Sequence, residues 1–234
     1  MKSKLKKNIL ITGTSSGIGK SIALKLLKHD YSVIGVSRKH TIIDNKYIAY
    51  TQDISDLKGF SKLLDEIRKK HKNIYGIISN AGEGSFNKLE NFSDSEILNF
   101  FNLNLISHII LSKKMISTLK KNKKGIFIFI GSEASKIGGV QGTLYTSAKH
   151  ALYGFVKSFR KEANKAAVRA TIINPGMVRT SFFNSLNFQP GKSRENALEA
   201  SDIAELVYFL CQSSKYINFT DINVEPIKKV ILRK

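Results

Sequence analysis

Short apolar runs and helical repeats alternate along this chain of 234 residues. Asn8–Gly13 is a short apolar run that ends in glycine, which is typical of a strand buried on both faces of a sheet. Behind it, Gly17–His29 has apolar residues at positions 18, 22, 23, 26 and 27, a spacing that places them on one face of a helix. The alternation continues to residue 224 and predicts a repeated strand–helix pattern.

Strands that alternate with helices indicate a parallel sheet that is covered by helices on both faces. Right-handed crossovers between such strands give an α/β protein with a doubly wound Rossmann fold of about seven parallel strands. The predicted strands are Asn8–Gly13, Ser32–Ser37, Lys46–Thr51, Ile74–Ser79, Gly125–Gly131, Val168–Asn174 and Phe219–Val224. The predicted helices are Gly17–His29, Leu57–Lys70, Ser93–Leu119 with a Ser93-x-x-Glu96 capping box, Thr143–Asn164 and Ser201–Gln212.

The chain has no internal repeat, no low-complexity stretch and no linker. Its 3 prolines, at positions 175, 190 and 226, leave the first two-thirds free to form long helices. We therefore expect residues 1–234 to form a single domain.

Composition excludes several classes of protein. Hydrophobic residues make up 42%, as in globular proteins, and no apolar run approaches the ~20 residues that span a bilayer. The basic start Met1–Lys7 precedes an apolar run that is too short for a signal peptide. The single cysteine, Cys211, can form neither an internal disulfide nor a cysteine metal cluster. We expect a cytoplasmic protein without a metal or a membrane partner.

A formal net charge of +20 is compatible with nucleic-acid binding. The lysines are spread along the chain, however, and the basic clusters Lys2–Lys7, Arg68–Lys72 and Lys120–Lys124 fall at predicted helix ends or in loops. Lysine is commonly solvated in such places, so we interpret the charge as that of a solvated surface and expect no nucleic-acid partner. A positive field would also attract an anionic substrate or cofactor.

A glycine-rich turn lies between the first predicted strand and the first predicted helix. Gly13 permits a tight exit from the strand, Gly17 lets the backbone approach a pyrophosphate, and Gly19 lets helix and strand pack closely. Free N–H groups at the start of the helix favour phosphate charge. Because the strand–turn–helix context is present, we interpret the turn as a dinucleotide site rather than a plain structural turn. Its predicted cofactor-binding residues are Gly13, Thr14, Ser15, Ser16, Gly17, Ile18 and Gly19.

The spacing G-x-x-x-G-x-G, preceded by Thr12, resembles that of the short-chain dehydrogenase/reductase family. The resemblance covers the chain from about residue 8 to residue 224 and implies an NADP(H)-linked oxidoreductase that acts on a small carbonyl or alcohol substrate. The matching positions beyond the turn are Asp53 and Ile54, Asn80 to Gly82, Asn104, Ser132, the Tyr-x-x-x-Lys pair Tyr145 and Lys149, and Asn174 to Gly176.

A Tyr-x-x-x-Lys pair is a weak signal by itself, because a lysine-rich chain produces such pairs by chance. This chain contains two, which begin at Tyr145 and Tyr153. Ser132 lies 13 residues before Tyr145, at a predicted strand end, whereas Val140 lies 13 residues before Tyr153. Only the first pair has the serine that the family pattern requires, and we interpret Tyr153 as a packing residue.

Carbonyl reduction needs a proton donor beside the forming alkoxide, and Tyr145 fits that role as general acid and base. A free tyrosine has a pKa of about 10, and lowering it toward ~7 requires about 4 kcal/mol of phenolate stabilisation. Lys149, one helical turn away, can supply positive charge, and Ser132 can hydrogen-bond the substrate oxygen. The resemblance also implies that Lys149 grips the nicotinamide ribose and that Asn104 holds a water in the proton relay. Asn102, two residues away, leaves the register of that assignment open.

The end of the second strand bears on the choice of cofactor. An NAD-selective site offers an acid there to the ribose 2′-hydroxyl, but this chain has Ser37 and no carboxylate before Asp44. Arg38 and Lys39 can meet a 2′-phosphate instead, so NADP(H) is favoured over NAD(H), the alternative being two solvated cations. The resemblance adds as cofactor-binding residues Asp53 at the adenine, Ile54, Asn80, Ala81, Gly82, Tyr145, Lys149, Pro175, Gly176, Val178 and, at the nicotinamide amide, Thr180.

The segment that follows Gly176, at about residues 177–200, is expected to form a mobile substrate lid. The cations Lys136, Lys192 and Arg194 favour an anionic substrate such as a hydroxy or keto acid, although in so basic a chain they carry little weight. The other segments expected to border the substrate are Glu83–Phe86, Glu133–Lys136 and Val140–Leu144.

The ending Asn218–Pro226 resembles that of the 3-hydroxy-acid and short-chain alcohol dehydrogenase branch of the family. This favours a hydroxy acid or carbonyl reductase over a ketoreductase of fatty-acid synthesis. The resemblance also implies a homodimer or homotetramer that is formed through the helices containing Thr143–Asn164 and Leu103–Leu119.

Two hypotheses from other classes compete with an enzyme. A dinucleotide-sensing or scaffold protein without turnover should lack Ser132, Tyr145 or Lys149, and none of them is missing. A nucleic-acid-binding protein should have a basic face interleaved with aromatic residues, which the spacing here does not give.

Overall fold

The computed structural model describes residues 7–122 and 125–234. Residues 2–6 and 123–124, which belong to two of the predicted basic clusters, lie outside the described residues. The strands are β1 Asn8–Thr12, β2 Ser32–Ser37, β3 Tyr47–Thr51, β4 Ile74–Ser79, β5 Ile126–Ile130, β6 Arg169–Pro175, β7 Val178–Arg179, β8 Phe188–Pro190, β9 Leu198–Glu199, β10 Asp221–Val224 and β11 Ile231–Arg233. The α-helices are α1 Gly17–Lys28, α2 Leu57–Lys70, α3 Asp94–Phe101, α4 Ser107–Lys121, α5 Thr143–Asn164 and α6 Ala200–Gln212.

Seven strands form one parallel sheet in the order β10-β6-β5-β4-β1-β2-β3. The chain enters at β1, moves outward to β3, and then returns to place β4 on the other side of β1. This reversal confirms the predicted doubly wound Rossmann fold. It opens a crevice at the carboxyl ends of β1 and β4, which is where such sheets bind ligands.

Helices cover the sheet on both faces, and successive side chains of a strand point to opposite faces. Ile9 and Ile11 pack with residues of α1 and α6, whereas Leu10 packs with residues of α2, α4 and α5. All three side chains are fully buried. This two-sided burial explains why the central strands are apolar throughout rather than alternating.

The prediction that Ser93–Leu119 is mostly helical is confirmed, and the helix geometry changes once within this stretch. α3 begins with the predicted capping box, in which the Ser93 hydroxyl accepts the Glu96 N–H at 3.3 Å and the Glu96 carboxylate accepts the Ser93 N–H at 2.8 Å. A π-helical segment, Asn102–Ile106, then separates α3 from α4. Such segments are often found at functional sites because they rotate the side chains that follow them.

Two short pairs of strands lie outside the main sheet. β7 pairs in parallel with β9, and β8 pairs antiparallel with β11. The predicted final strand, Phe219–Val224, is observed as β10 and is followed by β11, so it is not the last strand of the chain. Residues 177–200, which we expect to form the lid, therefore have strand partners at both β8 and β9.

Candidate active site

The turn between β1 and α1 depends on its glycines for different reasons. Gly13 and Gly17 have φ angles of 78° and 54°, in the left-handed region that favours glycine. A Cβ on Gly19 would lie 2.1 Å from the carbonyl oxygen of Gly13, so only glycine allows this approach of helix and strand. Ser16 precedes α1 without a side-chain hydrogen bond to the first turn. The first-turn N–H groups of α1 therefore have no side-chain cap, which suits a phosphate.

Hydrogen bonds join this turn to the loop after β4. The Thr12 hydroxyl accepts the N–H groups of Asn80 and Ala81, both at 3.1 Å. The Asn80 side chain in turn donates to the carbonyls of Thr12, at 2.9 Å, and Gly13, at 3.3 Å. The two loops that flank the crevice are therefore fixed to one another by side chains.

A cleft of about 480 Å³ opens at the carboxyl ends of these strands. It brings together residues from widely separated parts of the sequence, within the size range of cofactor sites. The predicted site residues that line it are Gly13, Ser15, Ser16, Gly17, Ile18, Ser37, Arg38, Asp53, Ile54, Asn80, Ala81, Gly82, Ser132, Tyr145, Lys149, Pro175, Gly176, Val178 and Thr180.

Four predicted site residues do not line the cleft: Thr14, Gly19, Lys39 and Asn104. The Thr14 side chain is fully buried, Gly19 lies against the Gly13 carbonyl, and Lys39 is exposed beyond the end of β2. Asn104 is also fully buried, and it supports the cleft from behind. The sequence pattern indicated the right region in each case, but it could not separate lining residues from buried supports such as Thr14 and Asn104 or from the exposed Lys39.

The support of Thr14 is a polar network that sequence reasoning missed. Its N–H donates to the Ser37 hydroxyl at 2.6 Å, and its hydroxyl lies 2.7 Å from the Tyr47 hydroxyl. The Tyr47 hydroxyl also contacts His40 Nδ1 at 2.8 Å. Burial raises the pKa of Tyr47, so this hydroxyl stays protonated. Gly35 is the residue that could have indicated this network, because a glycine inside a strand often marks a close approach of another group. A Cβ there would lie 2.2 Å from the Tyr47 hydroxyl.

Ser132, Tyr145 and Lys149 reach the cleft from two elements. Ser132 follows β5 and accepts the Ala134 N–H at 3.1 Å, whereas Tyr145 and Lys149 lie one turn apart on α5. Lys149 Nζ lies 5.6 Å from the centroid of the Tyr145 ring. Ser132 and Lys149 are 7% and 5% exposed, so their polar groups face the cleft rather than bulk water.

The electrostatics of Tyr145 differ from the sequence-based expectation. Burial raises the pKa of the Tyr145 hydroxyl above its usual value, the Ser132 hydroxyl acts to lower it, and the Glu133 carboxylate raises it. Burial also lowers the pKa of Lys149 to about 8. The lowering of the Tyr145 pKa toward neutrality is therefore not a property of the chain alone, because desolvation of the phenolate outweighs the favourable contacts.

Asn104, rather than Asn102, is the asparagine directed at the loop after β4. Its Oδ1 accepts the Glu83 N–H at 3.1 Å, and its Nδ2 donates to the Phe100 carbonyl at 3.1 Å. A Cβ on Gly82 would lie 2.8 Å from Asn104 Oδ1 and 3.7 Å from Lys149 Nζ. The π-helical segment thus places an amide close to the lysine ammonium, with only a glycine between the helix and the cleft.

His108 is buried one turn further along α4. Its Nδ1 lies 2.6 Å from the Ser79 hydroxyl, at the end of β4. Burial, and then the positive charge of Lys149, lower the pKa of His108 to about 3. The ring is therefore neutral at physiological pH and fixes the position of α4 against the sheet.

Within residues 7–122 and 125–234, no cluster of histidine, cysteine and acidic side chains has the arrangement of a metal site. No helix in the same part of the chain is both long and apolar enough to cross a membrane.

Comparison with known proteins identifies relatives along nearly the whole chain. A family model described as short chain dehydrogenase matches residues 7–190. A 3-oxoacyl-acyl-carrier-protein reductase of Buchnera aphidicola is 31% identical over 236 residues, which cover 94% of this chain and 96% of that protein. An NADP-dependent 3-hydroxy acid dehydrogenase of Schizosaccharomyces pombe is 27% identical, with 94% of this chain and 92% of that protein covered.

The fold is also that of solved structures. An alcohol dehydrogenase from the archaeon Thermococcus sibiricus, complexed with 5-hydroxy-NADP, has a TM-score of 0.85 and 25% sequence identity to this chain. The match covers 96% of this chain and 99% of that one.

The neutral state of His108 predicts a pH-dependent stability. Below pH ~6.5 the unfolded chain takes up a proton on this histidine that the folded chain rejects until pH falls to about 3. Unfolding becomes more favourable by about 1.4 kcal/mol per pH unit across that window because of this one group. We expect His108→Gln to flatten the fall in the free energy of unfolding between pH 6.5 and 4.5, measured by urea denaturation.

His150 provides the matched control, because it is an exposed histidine on α5. His150→Gln should keep the pH dependence of the unsubstituted chain. If His108→Gln leaves the slope unchanged, His108 of the unsubstituted chain takes up its proton as readily in the folded state as in the unfolded state, which would contradict the prediction.

Proposed function

We propose that this chain, which belongs to the short-chain dehydrogenase family and transfers hydride between a nicotinamide cofactor and a carbonyl or alcohol group, uses Tyr145 as its general acid and base. The supporting observation is that Ser132, Tyr145 and Lys149 all line one cleft with the glycine turn, although they lie more than 100 residues after it. A dinucleotide on the turn would therefore extend toward the tyrosine.

The residues of the cleft fit a dinucleotide. A Cβ at Gly13 would lie 2.8 Å from Asn80 Nδ2, so the turn leaves backbone rather than side chains facing the crevice. The uncapped first turn of α1 would hold the pyrophosphate. When bound, the cofactor supplies or accepts the hydride, and its oxidised ring adds a positive charge beside the phenol.

The chain's own groups manage the proton. Ser132 donates a hydrogen bond to the substrate oxygen and holds it near the Tyr145 hydroxyl, which gives its proton to the developing alkoxide. Lys149 carries its charge at neutral pH, since its pKa is about 8, and stabilises the phenolate that remains. Asn104 accepts the Glu83 N–H and so holds the loop at Gly82 beside the lysine.

We propose further that NADP(H) is preferred over NAD(H). The Ser37 hydroxyl already accepts the Thr14 N–H and is buried, so it offers little to a ribose hydroxyl. Arg38 lines the cleft at the end of β2, where its guanidinium can bind a 2′-phosphate. The nearby Asp53 carboxylate accepts the N–H and hydroxyl of Ser55, at 2.9 and 2.7 Å, and is directed into its own loop.

The alternative of a dinucleotide-sensing protein without turnover is not favoured. It would be expected to have lost or displaced a catalytic side chain, whereas all three face the same cleft.

Assembly into a homodimer or homotetramer through α4 and α5 stays a proposal that rests on the family resemblance, as does a mobile lid at residues 177–200.

Replacing Tyr145 tests the proposed mechanism. Tyr145→Phe removes the proton donor and little else, so we expect turnover to fall by about 10²- to 10⁴-fold. NADPH should still bind, as measured by titration of its fluorescence, because the glycine turn is untouched. Tyr153→Phe is the matched control, since it removes the same hydroxyl from the other Tyr-x-x-x-Lys pair, and it should leave turnover near normal. Normal turnover in Tyr145→Phe would rule out the mechanism.

Reversing the charge at Arg38 tests the cofactor preference. Arg38→Glu replaces an attraction to the 2′-phosphate by a repulsion, and we expect the Kd of NADPH to rise by roughly 10- to 100-fold. The Kd of NADH should change little. Lys39→Glu makes the same change one residue later, outside the cleft, and controls for the general field of the protein. Equal weakening of both cofactors would contradict the preference.

A further inference from the structure

A second cavity, of about 250 Å³, adjoins the catalytic residues on the side away from the glycine turn. Ser132 and Tyr145 line both this cavity and the dinucleotide cleft, so a molecule in the cavity would present its reactive group at their hydroxyls. The cavity is therefore the place where the chain would select its substrate.

Aromatic side chains form one side of the cavity. Phe86 lies between two other rings, with centroids 5.2 Å from Tyr145 and 5.0 Å from Phe188. The Phe182 ring centroid lies 5.9 Å from that of Tyr145. Tilted and edge-on rings at these distances stabilise one another and offer both ring faces and ring edges to a further aromatic group.

A second wall, next to the strand that carries Phe188, comes from the carboxyl-terminal segment, residues 226–234. β11 pairs with β8, and backbone hydrogen bonds continue beyond this pair. The Gly191 N–H donates to the Val230 carbonyl at 2.8 Å, and the Lys228 N–H donates to the Glu195 carbonyl at 3.0 Å. This pairing brings Ile231 to the cavity and ties the wall to the segment that carries Phe188.

The charged groups of the cavity neutralise each other. Among the described residues that line it, the charged ones are Glu133 and Lys229, whose carboxylate and ammonium are 2.7 Å apart. A substrate carboxylate would have to compete with Glu133 for this ammonium and would leave the acid unpaired. The Lys229 and Glu133 side chains are 49% and 25% exposed, so water screens the pair, but the described lining residues offer an anion no second cation.

The cations that suggested an anionic substrate are engaged elsewhere or directed away. Arg194 binds both oxygens of the Asp202 carboxylate, at 2.9 and 3.1 Å. Lys136 Nζ lies 5.9 Å from the ring centroid of Tyr153. Neither of these residues, nor Lys192, lines the cavity.

We propose that the substrate is a small uncharged carbonyl compound, or the corresponding alcohol, that bears one aromatic ring, and that the carboxyl-terminal segment is the wall that selects it. The proposal rests on the proposed function, because it places the carbonyl oxygen at Ser132 and Tyr145. The ring then occupies the apolar space between Phe86, Phe188 and Ile231.

A panel of matched aldehydes tests the substrate class. Benzaldehyde and 4-carboxybenzaldehyde share the ring and the reactive group but differ in charge, and acetoacetate adds a small anion without a ring. With NADPH as reductant, we expect kcat/KM for benzaldehyde to exceed those of both anions by about tenfold or more. Equal values, or a preference for either anion, would overturn the substrate class and leave the role of Tyr145 intact. Absence of turnover with benzaldehyde would also overturn the substrate class, whereas the proposed function is tested separately by NADPH binding and by Tyr145→Phe.

A substitution at Ile231 tests the wall. Ile231→Trp would fill the space assigned to the ring, so kcat/KM for benzaldehyde should fall by about tenfold, while that for acetaldehyde stays nearly constant. Ile227→Trp is the matched control, because Ile227 lies in the same segment and is also exposed, at 88% against 54% for Ile231, but does not line the cavity. Thermal unfolding of both variants checks that β11 stays in place. A parallel fall for the two aldehydes, or an equal effect at Ile227, would overturn the role of the wall.

Discussion

The close approach of the β1–α1 turn to the end of β4 is the constraint on which the site depends. The Gly13 carbonyl lies where a side chain on Gly19 would have to be, and the Asn80 side chain fills the remaining space while donating to the carbonyls of Thr12 and Gly13. A buried backbone carbonyl needs such a partner. The loops on either side of the crevice are therefore one hydrogen-bonded unit.

The same constraint explains which parts of the structure the sequence could predict. Ser32–Ser37 and Ile74–Ser79 have the predicted bounds because a central parallel strand must be apolar on both faces and must end where its polar loop begins. Tyr145 could be separated from Tyr153 because Ser132 has to follow a strand in order to reach it. In both cases the local pattern is tied to a requirement of the whole fold.

Other features depend on contacts that no local pattern encodes. Asn102–Ile106 has the apolar spacing of an ordinary helix, and its π-helical hydrogen bonds become visible only in the structure. β8 and β11 have 3 residues each and lie about 40 positions apart, so neither is a recognisable strand without the other. The partner of Arg194 is likewise set by the start of α6, which brings Asp202 to it. Charge and periodicity gave no information on any of these pairings.

The protonation of Tyr145 depends on both cavities, because its side chain lines each of them. In the chain alone, burial keeps the phenol protonated, because its charged form would lose water that Ser132 does not replace. Aromatic neighbours at Phe86 and Phe182 strengthen that effect, since they exclude water without offering a hydrogen bond. The aromatic side chains that line the proposed substrate cavity thus also help to keep the proton on the tyrosine. The protonated phenol is the form that gives its proton to the oxygen when a carbonyl is reduced. Oxidation of an alcohol uses the phenolate instead, and Lys149 stabilises that form, because a pKa of about 8 leaves its ammonium mostly protonated at neutral pH.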